Sequence, residues 1–122
     1  MADFMILIKG GDPQSRQLSA EEMQNHMQKW GVWMKGLTEK GQLKGGQPLE
    51  KTGKLVKANG VITDGPFPEA KDLVGGYLII DAKDAAEAAK IVRDCPIFED
   101  GQNLDAKSQP SLEVRAIAKM EM

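Results

Sequence analysis

His26 is the one histidine of the chain, and therefore the one side chain whose unperturbed titration lies near neutrality, where it could both take and give a proton. A proton carrier needs a group that fixes its ring. Asp64, immediately before Gly65-Pro66, offers a carboxylate that would orient the imidazole if the two converge on one cleft. Each residue also has a plainer reading. A histidine at the margin of a Trp- and Met-rich helix stripe serves as a hydrogen-bonded boundary residue, and an aspartate before Gly-Pro starts a turn through its side-chain bond to the backbone. Glu69, Lys71 and Asp72 follow closely, as a polar cluster around a ligand or as a solvated charged loop. Arg115 falls on the strand face opposite Leu112, Val114, Ala116 and Ala118, where it needs a carboxylate such as Asp64 or Glu69, or an anionic ligand. Trp30, Trp33 and Tyr77 are suited to the wall of a substrate pocket or to the core.

Other chemistries lack their residues. One His and one Cys give no paired ligands at zinc-like spacing, and the glycine-rich stretches have neither the phosphate-loop Lys-Ser/Thr pattern nor GxGxxG spacing. No metal and no cofactor are expected, so any reaction would be cofactor-free. The 16 basic and 18 acidic residues leave a net charge of -2 and are scattered, whereas nucleic acid requires a clustered basic face. The longest apolar run, Phe4 to Ile8, is far too short for a membrane span or a signal-peptide core, which points to the cytoplasm. Cys95, between Asp94 and Pro96, has no flanking His or Lys to activate it and reads as a small apolar residue at a helix end.

The elements that must position these residues follow from pattern. Phe4 to Lys9 is a strand stopped by Gly10-Gly11-Asp12-Pro13. Ser19 opens a helix, with Glu22 completing a capping box and Leu18 closing on Met23 as a staple. Met23, Met27, Trp30, Met34 and Leu37 form one stripe, with His26 and Trp33 at its edge and Gln28, Val32, Lys35 and Glu39 turned away. Gly45 to Gly53 reads as loop or weak strand. Lys54 to Ala58 and Val61 to Thr63 flank Asn59-Gly60, which suits a two-residue type I′ turn. Leu73 to Asp81 is a strand in which Gly75-Gly76 marks a bulge or close approach. Asp84 and Glu87 cap an alanine-rich helix ended by Pro96, and Leu112 to Ala118 is the closing strand.

At 122 residues this is one domain over residues 1–122, large enough to bury roughly two thirds of its unfolded surface. Its order predicts an α+β fold, a ferredoxin-like βαββαβ unit with an antiparallel sheet. Two helices cover one sheet face only. Yet Met5 and Leu7 alternate with Phe4, Ile6 and Ile8, and Tyr77 and Ile79 with Leu78 and Ile80, so both faces are apolar where one should be polar. The expected cover is a second copy, giving a homodimer through the sheet with Leu78 and Ile80 on the shared face. The alternative is a loop, 45–53 or 99–111, folded over it.

The run Asp64-Gly65-Pro66-Phe67-Pro68-Glu69-Ala70-Lys71-Asp72-Leu73-Val74-Gly75-Gly76-Tyr77 resembles the signature of the YCII-related family, in particular its DGPF branch. Asp72 stands where the family often has glutamate. Leu112-Glu113-Val114-Arg115 is similar to the family's closing strand, with Ala116 in place of a common proline. The resemblance covers most of the chain and implies a dimeric α+β barrel. It also implies two kinds of role, an enzyme built on a His and Asp pair or a module associated with extracytoplasmic-function sigma factors. Neither role assigns an activity here, and the residues leave two expectations open: proton transfer, isomerisation or elimination on a small, neutral or anionic organic molecule, or binding of a metabolite or regulatory partner without turnover. In the first case His26 is the acid/base, Asp64 its orienter, and Arg115 or Lys71 an electrostatic aid.

Overall fold

Strand β1 (Ala2–Lys9) carries two interleaved apolar sets, and pleating sends each to its own face. The computed structural model describes residues 2–10, 19–50, 52–65, 73–100 and 109–119. Within them β1 pairs antiparallel with β5 (Val74–Ala82) on one side and β6 (Ser111–Ala116) on the other, while β2 (Leu43–Pro48) pairs with the far edge of β5. The sheet order is β2-β5-β1-β6. With α1 (Ala20–Glu39) joining β1 to β2 and α2 (Ala85–Val92) leading from β5 towards β6, this is the ferredoxin-like α+β topology.

The register places Phe4 opposite Ile80 and Ile6 opposite Leu78, so these four share one face with Ala82, and Ala88 and Val92 of α2 complete the cluster. Ile6 and Ile80 are wholly buried, at 0% exposure, and each such side chain contributes roughly 1.5–3 kcal/mol by leaving water. Leu78 and Ile80 therefore belong to the helix-covered core and not to the inter-subunit face expected for them. Both sets of β5 are apolar, and only pairing with β1 decides which meets the helices. Met5, Leu7, Tyr77 and Ile79 take the other face.

Local chemistry fixes the helices. Ser19 Oγ accepts from the Glu22 N–H at 3.1 Å, and Glu22 Oε1 accepts from the Ser19 N–H at 3.3 Å, the expected capping box; Leu18 lies outside the described residues. Helix α1 ends where the Gln42 N–H donates to the Leu37 carbonyl at 2.9 Å and the Gly41 N–H to the Thr38 carbonyl at 3.0 Å, a Schellman closure. Asp84 Oδ1 accepts from the Glu87 N–H at 2.8 Å, and Glu87 reaches back to the Lys83 N–H at 3.2 Å. After α2 the chain makes a single further turn, α3 (Ile97–Asp100). Cys95 is buried at 2% exposure, in keeping with a packing residue. No described helix is long and apolar enough to cross a membrane.

Two departures from the sequence expectation concern the middle of the chain. The second strand of the ferredoxin-like unit is β2, within and just before the stretch read as loop or weak strand. The hairpin, β3 (Gly53–Val56) with β4 (Ile62–Gly65), forms a separate two-stranded sheet. Its turn has three residues, Ala58 to Gly60, because the Lys57 N–H donates to the Val61 carbonyl and the Gly60 N–H to the Lys57 carbonyl, both at 2.9 Å. Gly60 sits at φ 85°, the left-handed position that closes a three-residue hairpin loop. Strand β4 accordingly runs on through Asp64, which becomes a strand residue rather than the start of a turn.

Candidate functional site

Helical spacing of four and three residues stacks His26, Trp30 and Trp33 along one flank of α1. The His26 and Trp30 rings meet edge to face, with centroids 6.2 Å apart and planes at 65°. Trp30 and Trp33 do so at 5.7 Å and 87°. These are the favoured T-shaped arrangements, with the positive edge of one ring on the negative face of the next. All three rings are half-buried, and His26 Nδ1 is shielded from solvent. Trp33 and Met34 pack against the core, but Leu37 is the one fully buried residue of α1. The middle of the helix, from His26 to Trp33, thus presents aromatic surface that the described core consumes only in part.

Beside this array runs a shallow groove of about 650 Å³ lined by Asn25, Gln28, Lys29, Val32, Trp33 and Pro96. Trp33 borders both. Gln28 and Lys29 follow Asn25 by one helical turn, and the three supply amide and ammonium groups next to an indole. The sequence reading passed over them, because Gln28 and Val32 point away from the apolar stripe. Their spacing relative to Trp33 was the available signal.

The remaining candidates lie elsewhere. Met5 pairs with Ile79 and Arg115, and Leu7 with Tyr77 and Glu113. Tyr77 and Arg115 therefore occupy the sheet face opposite the one that packs on Trp33 and Met34. That outer face has Met5, Leu7, Tyr77 and Ile79 half-buried at its centre. Ion pairs Lys44–Asp3 at 2.7 Å and Lys9–Glu113 at 3.5 Å bound it. Asp3 holds the Lys44 ammonium above the usual lysine range, through its hydrogen bond first and its charge second. Asp64 faces Lys54 across the hairpin and the two side chains form an ion pair. Glu69 and Lys71 lie outside the described residues. The structure thus brings His26, Trp30 and Trp33 together, and places Asp64 on the hairpin and Arg115 with Tyr77 on the outer sheet face. Among the described residues no three His, Cys, Asp or Glu side chains gather as metal ligands.

No curated protein matches the chain. Among solved structures it is similar to 5-chloro-2-hydroxyhydroquinone dehydrochlorinase from Burkholderia phenoliruptrix AC1100, in complex with 2,5-dihydroxybenzoquinone. The two share 23% identity over 93% of this chain and 90% of that one, with a TM-score of 0.47. The family model for the YCII-related domain matches residues 2–105, from the first residue of β1 past α3, and the chain belongs to that family.

Proposed function

We propose that the chain binds a small, planar organic molecule on the aromatic flank of α1, with His26 as the group that moves a proton and without a cofactor. The observation that carries this reading is the His26–Trp30–Trp33 array, which offers ring faces and edges to a flat ligand beside the amides of Asn25 and Gln28. An anionic ligand suits Lys29 in the same groove. Asp64 opens the Asp64-Gly65-Pro66-Phe67 segment that supports the DGPF branch of the family, with Glu69 and Lys71 following it in sequence, and Asp64 acts here only if the hairpin approaches α1.

Both tryptophans of the chain lie in the array, so intrinsic fluorescence reads the site directly. Titration with a panel of planar phenols and aromatic acids is expected to give saturable quenching and a raised melting temperature. A panel that produces neither overturns the reading. His26→Gln is expected to keep the quenching and lose turnover of any ligand that is converted.

A second reading is favoured by the outer sheet face. Its apolar centre supports a homodimer joined through Met5, Leu7, Tyr77 and Ile79. In that form the protein is a non-catalytic module for a metabolite or a regulatory partner, sigma-factor-associated in the manner the family suggests. A ligand bound without conversion favours this reading over the enzyme.

A further inference from the structure

The aromatic array and the groove of α1 meet at a cation. Lys29 follows His26 by three residues and Asn25 by four, and it precedes Val32 by three and Trp33 by four, so on the helix surface it is neighbour to all four side chains. It is also the one charged side chain among the described residues that line the groove. We infer that Lys29 selects an aromatic carboxylate with a single negative charge as the ligand of this flank, which rests on the reading that a planar molecule binds there and names its class.

The donors decide for a carboxylate. An ammonium only donates, and the amides of Asn25 and Gln28 each carry an NH₂ group, so two oxygens that only accept can be met by Lys29 and an amide at once. Such charge-assisted bonds are roughly twice as strong as neutral ones. The ring has its own surface, because half-buried Trp33 borders the groove and an indole face takes a stacked or edge-on ring within one helical turn of the ammonium. Ionisation narrows the class further. A phenol titrates near about 10 and is neutral at physiological pH, whereas a carboxyl titrates near about 4 and is charged there. The number of charges follows from the neighbours. From Lys29 towards the start of α1 the next charged side chains are Glu22 and Glu21, which repel a second anionic group.

The test uses the full chain and a matched pair of probes. Benzoate and benzamide share a ring and nearly a shape and differ in charge, and each is titrated into wild type, Lys29→Gln, Lys29→Arg and Lys35→Gln while NMR follows the indole N–H signals of both tryptophans. Glutamine and arginine match the helix propensity of lysine, so unchanged circular dichroism is expected in all three variants; Lys35, exposed and turned away from the groove, is the control. We expect wild type at low salt to bind benzoate more tightly than benzamide by about fivefold or more. That preference is expected to vanish in Lys29→Gln, to persist in Lys29→Arg and Lys35→Gln, and to shrink as salt is raised. Equal binding of the two probes by wild type, or a preference that Lys29→Gln retains, overturns selection by Lys29 and leaves the planar-ligand reading standing. Binding of neither probe by a wild type that binds a neutral phenol does the same, and a wild type that binds no planar molecule overturns both.

Discussion

Asp64 faces Lys54 across the β3–β4 hairpin, and the two side chains form an ion pair on a surface where both remain well exposed, at 76% and 68%. A pair so open to solvent contributes about 0–1 kcal/mol. Asp64→Asn is therefore expected to shift the melting temperature little. It is also expected to leave the NMR chemical shifts of the His26 ring as in wild type, since Asp64 pairs with Lys54 on the hairpin. Displaced His26 ring resonances in a folded Asp64→Asn protein would show that the hairpin brings Asp64 to the imidazole, within the chain or across a dimer, and would revive the acid/base pair.

Gly46 and Gly45 are adjacent in β2 and differ in what a methyl group would meet. At Gly46 a Cβ would come 2.6 Å from the Tyr77 carbonyl oxygen and 3.1 Å from the Leu78 Cα, whereas at Gly45 there is open space. Backbone cannot yield as a flexible side chain would. Gly46→Ala is expected to cost about 1–3 kcal/mol or to detach β2 from β5, and Gly45→Ala to stay within roughly 0.5 kcal/mol. Urea denaturation of the two variants checks the contrast, and equal midpoints would refute the close approach.

These glycines also show where the sequence stopped being informative. Leu43–Pro48 contains no β-branched or aromatic residue, so propensity argues against a strand there. It becomes one because β5 offers an open ladder and glycine permits close contact, a tertiary gain that outweighs local preference. The caps at Ser19 and Asp84 were legible because their partners, Glu22 and Glu87, lie three residues away. In the same way the His26–Trp30–Trp33 array follows from helical spacing. The separation of Tyr77 and Arg115 from that array did not follow, because strands apolar on both faces give no sign of which side meets a helix. The groove escaped notice for the opposite reason. Asn25, Gln28 and Lys29 look like an ordinary solvated face until the fold sets Pro96 beside them.

Lys44 supplies a pH dependence. Its proton is held more tightly in the folded chain than at its ordinary value of 10.5, chiefly by the hydrogen bond to Asp3. A raised folded-state value stabilises the fold while both states keep the proton, and the increment fades as pH rises through that raised value. Both side chains are exposed, so the increment is small. The stability difference between wild type and Asp3→Asn is expected to stay constant from neutral pH to about 10, then to close at higher pH. Chemical denaturation at a series of pH values measures it, and a difference that widens above pH 10 would contradict the sign.

Ile79 and Ile80 are neighbours of the same type on opposite faces of β5, and lysine at each asks a different question. Ile80 is wholly buried against Phe4 and the helices, where an ammonium has neither water nor a carboxylate, so Ile80→Lys is expected to cost upwards of 4 kcal/mol and to unfold the chain. Ile79 is half-buried on the outer face, beside Met5 and one register step from Tyr77. In an isolated chain a lysine there keeps its ammonium in water by extending its stem over the apolar surface, so the fold is expected to survive. In a dimer joined through this face the same ammonium is trapped, and two of them meet near the axis, which drives dissociation. Light scattering coupled to size exclusion, with thermal melts by circular dichroism, separates the cases. A folded Ile79→Lys monomer beside a dimeric wild type supports the sheet-face interface, and an Ile79→Lys protein that remains dimeric with an unaltered melt places the interface elsewhere.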